Sequence, residues 1–476
     1  MSDNKHFDRL VAAGNPVGEV VAVDRFMVQV KGMHPVRIHA LVLFEDGSKG
    51  YVHHVFENHT VVLHLGSKSC QVGTLAVMQH EELVTKVGKD YIGRVISVTG
   101  EPLDDKGPIA ADGVWPVFAT APPFHMRQAL DQQLDTGVTV IDTAFPLVRG
   151  QRMAILGDGK SGKSTLATQI VLNQAKSDVV SIYVLIAKRR SDVDTLLTRL
   201  HFRDVMQHCI VIVSTMADSL ILSYLAPYVA CSMAEYLWQQ KDQDVLVVYD
   251  DLTAHAHAYR EIALLSGMSP GRDSFPGDMF YVHSSLLERA GRLATNHKTL
   301  TALPMVFSAG GDITTYLSTN VMSITDGQWI LDMKVFRDTM RPAVNIGMSV
   351  SRVGGLGQHK RQKQLAGQML KLFAAHAQAQ EFARFGSEMS ADAQRNLEHG
   401  NMLYKLLNQS PSEHYSIVAQ VLMMDIIMGL EPHQKIDVEK MKACVGEYVD
   451  KASDESQYEA VRADLKSRSL IMEAVA

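Results

Sequence analysis

The chain lacks most of what would tie it to a membrane, a nucleic acid or an oxidising compartment. Only four of its 476 residues are cysteine. Cys70, Cys209, Cys231 and Cys444 fit neither a disulfide framework nor a zinc-ligand spacing, so free thiols in a reducing compartment are expected. No lysine/arginine run reaches a polybasic tract, and the net charge is −6. That argues against a primary role on nucleic acid or an anionic membrane surface. Met1 to Asn4 show no apolar core behind a basic flank, the mark of a signal peptide. The longest uncharged stretch, between Asp218 and Glu235, is broken by Ser223, Pro227 and Ser232. It falls short of the roughly 18 apolar residues of a membrane span. Work at a membrane would therefore require a partner to hold the chain there. Low-complexity tracts and internal repeats are missing as well.

What is present is enough chain for about three domains at roughly 150 residues each. Residues 1–85 contain short β-rich runs such as Gly18-Glu-Val-Val-Ala-Val, Val36-Arg-Ile-His-Ala-Leu-Val-Leu and Thr60-Val-Val-Leu-His-Leu. Turn residues such as Glu45-Asp-Gly-Ser separate them, a spacing that predicts a small N-terminal β-barrel. Residues 86–358 alternate helical patterns with apolar runs: Arg152-Met-Ala-Ile-Leu, Val180-Ser-Ile-Tyr-Val-Leu-Ile, Ile210-Val-Ile-Val-Ser and Val245-Leu-Val-Val-Tyr-Asp. Such runs suit parallel strands with helices on both faces of the sheet. Residues 359–476 carry helical patterning such as Leu365, Met369, Leu370, Leu372 and Phe373, predicting an α-helical bundle.

Gly157-Asp158-Gly159-Lys160-Ser161-Gly162-Lys163-Ser164 matches G-x-x-x-x-G-K-[ST] in full, and Thr165 follows. A strand-like run enters it and a helical run leaves it, which is the context the motif requires. Glycines let the backbone approach phosphate oxygens, and the N–H groups at the helix start face the anion. Lys163 is expected to reach the β- and γ-phosphates of ATP or ADP, and the Ser164 hydroxyl to bind Mg²⁺. Asp250, closing another apolar run, is expected in the Mg²⁺ water shell, while Asp251 is better placed to cap the next helix.

Beyond these motifs the chain resembles the rotary ATPase ring subunits. The residues that carry this are Asp250-Asp-Leu-Thr, Ala258-Tyr-Arg-Glu, Pro270-Gly-Arg-Asp-Ser-Phe-Pro-Gly-Asp-Met-Phe-Tyr-Val-His-Ser and Leu287-Glu-Arg-Ala. Ser323-Ile-Thr-Asp-Gly-Gln, Arg341-Pro-Ala-Val-Asn-Ile-Gly, Ser349-Val-Ser-Arg352-Val-Gly and Phe382-Ala-Arg-Phe-Gly-Ser are similar to alpha subunits of F-type ATP synthases in particular. The likeness runs from about Gly18 to about residue 435. It implies a barrel, a RecA-like P-loop NTPase domain and a helical domain, in that order. It also implies beta-type catalytic partners in an alternating hexameric ring, a central-stalk gamma subunit and a peripheral-stalk delta-type subunit. The implied setting is ATP synthesis or hydrolysis coupled to proton or sodium transport, with the chain peripheral on the cytoplasmic face of a membrane.

The same resemblance assigns residues. Phe336, Arg341, Pro342 and Gln409 stand where the family lines its base pocket, with Pro411 where a second glutamine is usual. Arg352 stands at the arginine finger, which acts in trans on a neighbouring catalytic site. Catalytic paralogues carry a glutamate after the strand that follows the phosphate-loop helix. Here Lys188 takes that place, and two fates are open for it: solvent, or phosphate oxygens. A protonated lysine cannot serve as the water-activating base, so own-site hydrolysis is not expected. Gly159 and Lys160 replace the usual arginine and glutamine of the loop.

His255-Ala-His257 and His53-His54 lack a cysteine or carboxylate set at metal spacing, so solvated or capping histidines are expected. The 24 methionines read as core filler. Before the barrel, Phe7, Leu10 and Val11 offer one short apolar face, where the family usually has a longer stalk-docking segment. A self-sufficient homohexameric ATPase of the secretion or RNA-translocating type is the alternative function. Lys188 argues against it.

Overall fold

The computed structural model describes residues 2–66, 69–384, 390–431 and 434–471. Residues 385–387 of the Phe382 motif lie outside them. The chain divides into two compact units, Met1–Gln128 with Asp178–Val306, and Ala129–Ser177 with Phe307–Ala476.

The first unit begins with a helix, Ser2–Ala12, whose Phe7 is buried against Leu43 and Val77 of the barrel. Leu10 packs on the same cluster, while Val11 stays exposed. The apolar face expected at the N-terminus is therefore largely used by the chain itself.

Six strands follow: β1 (Val17–Asp24), β2 (Met27–Lys31), β3 (Leu41–Phe44), β4 (Lys49–Val55), β5 (Thr60–His64) and β6 (Leu75–His80). They close into a barrel in the order β1-β2-β5-β4-β3-β6. Period-two alternation sends Val28 and Val30 inward from β2, with Val20, Val42, Val52, Val62 and Ala76 completing the core. At Gly50 a Cβ would lie 2.6 Å from Val62 Cγ1, so the strands approach there only because the side chain is missing.

The same unit carries parallel strands in the order Thr299–Phe307, Asp244–Asp250, Val179–Lys188, Cys209–Thr215 and Val95–Ser97. Ile182 to Ile186, Cys209 to Val213 and Val245 to Tyr249 are buried throughout. This is why their sequences read as unbroken apolar runs rather than alternating ones. The uncharged stretch seen in the sequence becomes the helix Leu220–Gln240, capped by Ser219. It is long and apolar enough to cross a membrane, yet 78% of its most apolar window is buried within the structure. Glu235 on this helix meets Arg289, with Nε–Oε1 2.8 Å and Nη2–Oε2 2.6 Å. Arg289 also donates to Val117 O and Ser232 Oγ, and Trp115 Nε1 donates to Glu235. Removing one partner of such a pair would strand a buried charge at a cost of about 3–5 kcal/mol.

The second unit holds the strand Ala154–Gly157 parallel to Gly327–Leu331, and the helix Lys163–Gln174. A helical array follows: Lys360–Arg384, Ala391–Leu407, Ile417–Met428, Val438–Cys444 and Glu455–Ser469. Ser390, Ser416, Asp437 and Asp454 cap four of these, each accepting a backbone N–H. Met369, Met423, Met424 and Met441 fill the array's core. Asp142 ties the unit together. Its carboxylate accepts from Thr136 N and Oγ1 and from Gln420 Nε2. Its carbonyl accepts from Gln133, Gln358 and Gln362. Burial first, then the nearby Asp135 charge, pushes the Asp142 carboxyl well above the usual carboxylate range.

Buried histidines make stability sensitive to acid. His255 Nδ1 lies 3.2 Å from His283 Nε2, and His255 stacks on Tyr224. Burial lowers His283 from 6.5 to about 4, as it does His53 in the barrel, where His54 and His39 add to the effect. Below about 6.5 the unfolded chain takes up protons that the folded chain refuses. Each such histidine should therefore withdraw stability from pH 6.5 to about 4, by up to about 1.4 kcal/mol per pH unit, while the raised carboxyl of Asp142 works in the opposite direction. Denaturant midpoints of wild type and His283→Gln, compared across this range, should diverge by the histidine's share, the variant losing less stability toward pH 4.

Candidate nucleotide-binding site

The phosphate loop lies in the second unit, between the strand Ala154–Gly157 and the helix Lys163–Gln174. A Cβ at Gly157 would meet Leu331 O and Ser161 Oγ, each at 2.7 Å, so only glycine fits there. Gly162 caps the helix at φ 100°, a left-handed conformation that glycine adopts without strain. Lys160 adopts φ 61°. Lys163 Nζ donates to Gly157 O at 2.8 Å and Asp158 O at 2.7 Å, and lies 5.6 Å from the centre of the Phe307 ring. Asp158 accepts from Gly159 N, Ser161 is buried, and Ser164 is exposed at the helix start. A Cβ at Gly159 would touch Phe307 Cε2 at an ordinary 3.6 Å. The loop's departure from the usual arginine is therefore not forced by space.

Phe336 sits on the short helix Met333–Arg337. The Arg341 guanidinium stacks over its ring at 3.4 Å and donates to Phe336 O and Met340 O. Pro342 follows through a cis peptide. Gln409 is buried, and its amide is fully engaged within the polypeptide. Nε2 donates to Gly137 O and Glu413 O, while Oε1 accepts from Thr139 N and Oγ1. Two N–H groups and two lone pairs are all such an amide offers. Contact with a base would cost Gln409 one of these bonds.

The acidic residues lie in the first unit. Asp250 ends its strand with Oδ2 accepting from Tyr183 OH at 2.9 Å. Lys188 Nζ is 2.6 Å from Asp250 Oδ1 and 2.7 Å from Asp251 Oδ2. Asp251 caps the helix Leu252–Leu265, Oδ1 accepting from Ala254 N. The sequence left solvent or phosphate open for Lys188; the structure gives a third fate, an ion pair with two carboxylates. Burial opposes the lysine's charge, but Asp251 and Asp250 outweigh it and hold the pKa above the ordinary value. The ammonium is therefore permanent at working pH. Asp250, expected in a metal's water shell, thus carries a cation of the chain's own at 2.6 Å.

Arg352 follows the strand Val350–Ser351 in the second unit and is exposed. Nη1 donates to Thr325 O at 2.9 Å and Nη2 to Met322 O at 3.4 Å, both at the C-terminal end of the helix Tyr316–Ile324. Both of these acceptors are backbone carbonyls. Among the described residues His255 and His257 belong to no metal cluster. Sequence reasoning missed Tyr183 and Phe307. Both lie within apolar strand runs that carry no mark of contact with a charged group.

A strand, a glycine-shaped loop and a helix presenting Lys163 define a P-loop nucleotide-binding protein. Residues 137–351 match the ATP synthase alpha/beta family, nucleotide-binding domain, and residues 358–475 match the ATP synthase alpha/beta chain, C terminal domain. The ATP synthase subunit alpha of Caldanaerobacter subterraneus subsp. tengcongensis is 38% identical over 428 residues, 89% of this chain and 84% of the relative. That of Clostridium botulinum (strain Eklund 17B) is 38% identical over 438 residues, 91% and 87%. That of Mycoplasma genitalium is 36% identical over 411 residues, 86% and 79%. The chain belongs to the ATP synthase alpha/beta family.

Replacing Lys163 by alanine removes the cation at the helix start and should abolish retention of ATP or ADP through gel filtration. Full nucleotide stoichiometry in Lys163→Ala would place the site elsewhere.

Proposed function

We propose that this chain is a non-catalytic, nucleotide-binding alpha-type subunit that alternates with beta-type catalytic subunits in an F-type ATP synthase ring. The observation that carries this reading is the Lys188–Asp250–Asp251 triad. Hydrolysis needs a carboxylate free to orient and deprotonate water. Where the strand Val179–Lys188 ends, this chain offers an ammonium, which cannot accept a proton. A self-sufficient homohexameric ATPase would need that carboxylate. ATP or ADP is held by residues 157–165, with Phe336, Arg341 and Pro342 on the base side and Gln409 positioning the segment beside them. Gamma and delta-type subunits complete the assembly. The ring is coupled to proton or sodium transport, and the chain stays peripheral on the cytoplasmic face.

Arg352 acts in trans on the neighbouring catalytic site. Its guanidinium is exposed and rests on helix-end carbonyls, so its charge is kept for an anion. Such a planar fork matches two oxygens of a transferring phosphate.

The purified chain should show negligible ATPase activity, and robust turnover free of beta-type contaminant would sink the non-catalytic assignment. In the reconstituted ring, Arg352→Ala should slow multisite hydrolysis by about 10³–10⁵ while leaving affinity at the chain's own loop nearly unchanged. Arg352→Lys should fail too, since it loses the fork. Steady-state rate and own-site affinity, measured on one preparation, decide the matter.

A further inference from the structure

A cavity of about 560 Å³ opens wholly within the first unit, and nucleotide binding makes no use of its walls. That volume suits a small organic ligand. The walls are largely aromatic. Phe118 is the hub: its ring centre lies 4.3 Å from that of His39, 5.0 Å from Tyr228 and 6.0 Å from Tyr51. Tyr224 stacks on Tyr259 at 5.3 Å. All of these rings line the cavity. Two of the hydroxyls are spent inside the protein: Tyr228 OH donates to Val282 O at 3.0 Å, and Tyr259 OH to Asp278 Oδ2 at 2.6 Å.

The charge at this cavity has one sign. Its carboxylates are Asp278 and Glu288, both exposed and so placed where the cavity meets solvent. Arg127 comes close to Glu288, donating to the carbonyls of Pro122, Glu288 and Ala290, which leaves Asp278 as the principal anion. The histidines in the lining do not offset it. Burial lowers His39, and lowers His53 to about 4, with His54 and His39 adding to the effect. Both rings are therefore neutral near physiological pH. His53 Nε2 is buried without a hydrogen-bond partner, so a proton there would stay unpaired.

We propose that this cavity binds a small organic ammonium that carries an aromatic or apolar body. A cation is attracted to the face of an aromatic ring within about 6 Å of its centre. The apolar body lies on the rings, and the ammonium turns toward Asp278. A metal ion would need a shell of several oxygens, which two carboxylates at a mouth do not supply. An anion would meet charge of its own sign.

The test is titration calorimetry on the full purified chain, near neutral pH and at fixed ionic strength. The probe is phenethylammonium, and phenethyl alcohol is its uncharged counterpart. The ammonium should bind at least about tenfold tighter than the alcohol. Asp278→Asn keeps an acceptor for Tyr259 and should cut that preference below about threefold. Phe118→Leu keeps apolar bulk but loses the ring, and should weaken the ammonium by about threefold to thirtyfold, with a smaller change for the alcohol. Saturating ATP should leave the ammonium's Kd unchanged. Equal affinity for the two probes overturns the proposal, because the cavity then selects no charge. Full preference in both Asp278→Asn and Phe118→Leu overturns it by placing the cation elsewhere. Displacement by ATP would put the amine in the nucleotide site, and absence of ammonium binding at millimolar concentration would leave no site at all.

Discussion

A charge removed from water must find its partner inside the protein, and this chain arranges its interior by that constraint. Arg289 and Glu235 pair in the interior and hold the segment through Val117 against the helix Leu220–Gln240. Asp142 gathers four glutamines and a threonine, hydrogen bonds that offset the burial of its carboxyl, and so fastens helices of the C-terminal array to the segment beside the phosphate loop. Lys188 settles between Asp250 and Asp251. The two ion-paired clusters are fixed features, because opening either leaves a desolvated charge behind. Ser164 and Arg352, by contrast, are exposed.

The fold was legible because its signals are local. Unbroken apolar runs at Val180, Ile210 and Val245 became parallel strands, since both faces are covered. The phosphate loop was legible for the same reason: its glycines answer to a backbone path, and Gly157 has no room for a Cβ. Asp251 as a helix cap also follows from its position before an apolar helix.

The fate of Lys188 was not legible. Sequence separation of 63 residues joins it to Asp251, and only parallel register brings the two strand ends level. Gln409 is similar. Resemblance placed it beside a base, while its amide spends all four hydrogen-bonding positions on Gly137, Thr139 and Glu413. A glutamine's neighbours more than 250 residues away leave no periodic trace. The histidine pair was hidden too, because His255 meets His283 across two helices rather than along one.

The helix Leu220–Gln240 has a consequence for how the chain is made. Part of its cover comes from strands made before it, Val179–Lys188 and Cys209–Thr215, and part from elements later in the sequence: the strand Asp244–Asp250 and the helices Leu252–Leu265 and Met279–Leu287. During translation the helix therefore leaves the ribosome before part of the surface that covers it exists. For that interval it presents the length and composition of a membrane segment to any targeting factor. Two residues oppose misdirection. Pro227 weakens the isolated helix, and Glu235 puts a carboxylate in its last turns until Arg289 has been synthesised. The ion pair that locks the finished unit thus waits on the later of its two halves: Glu235 is made with the helix, Arg289 only after it.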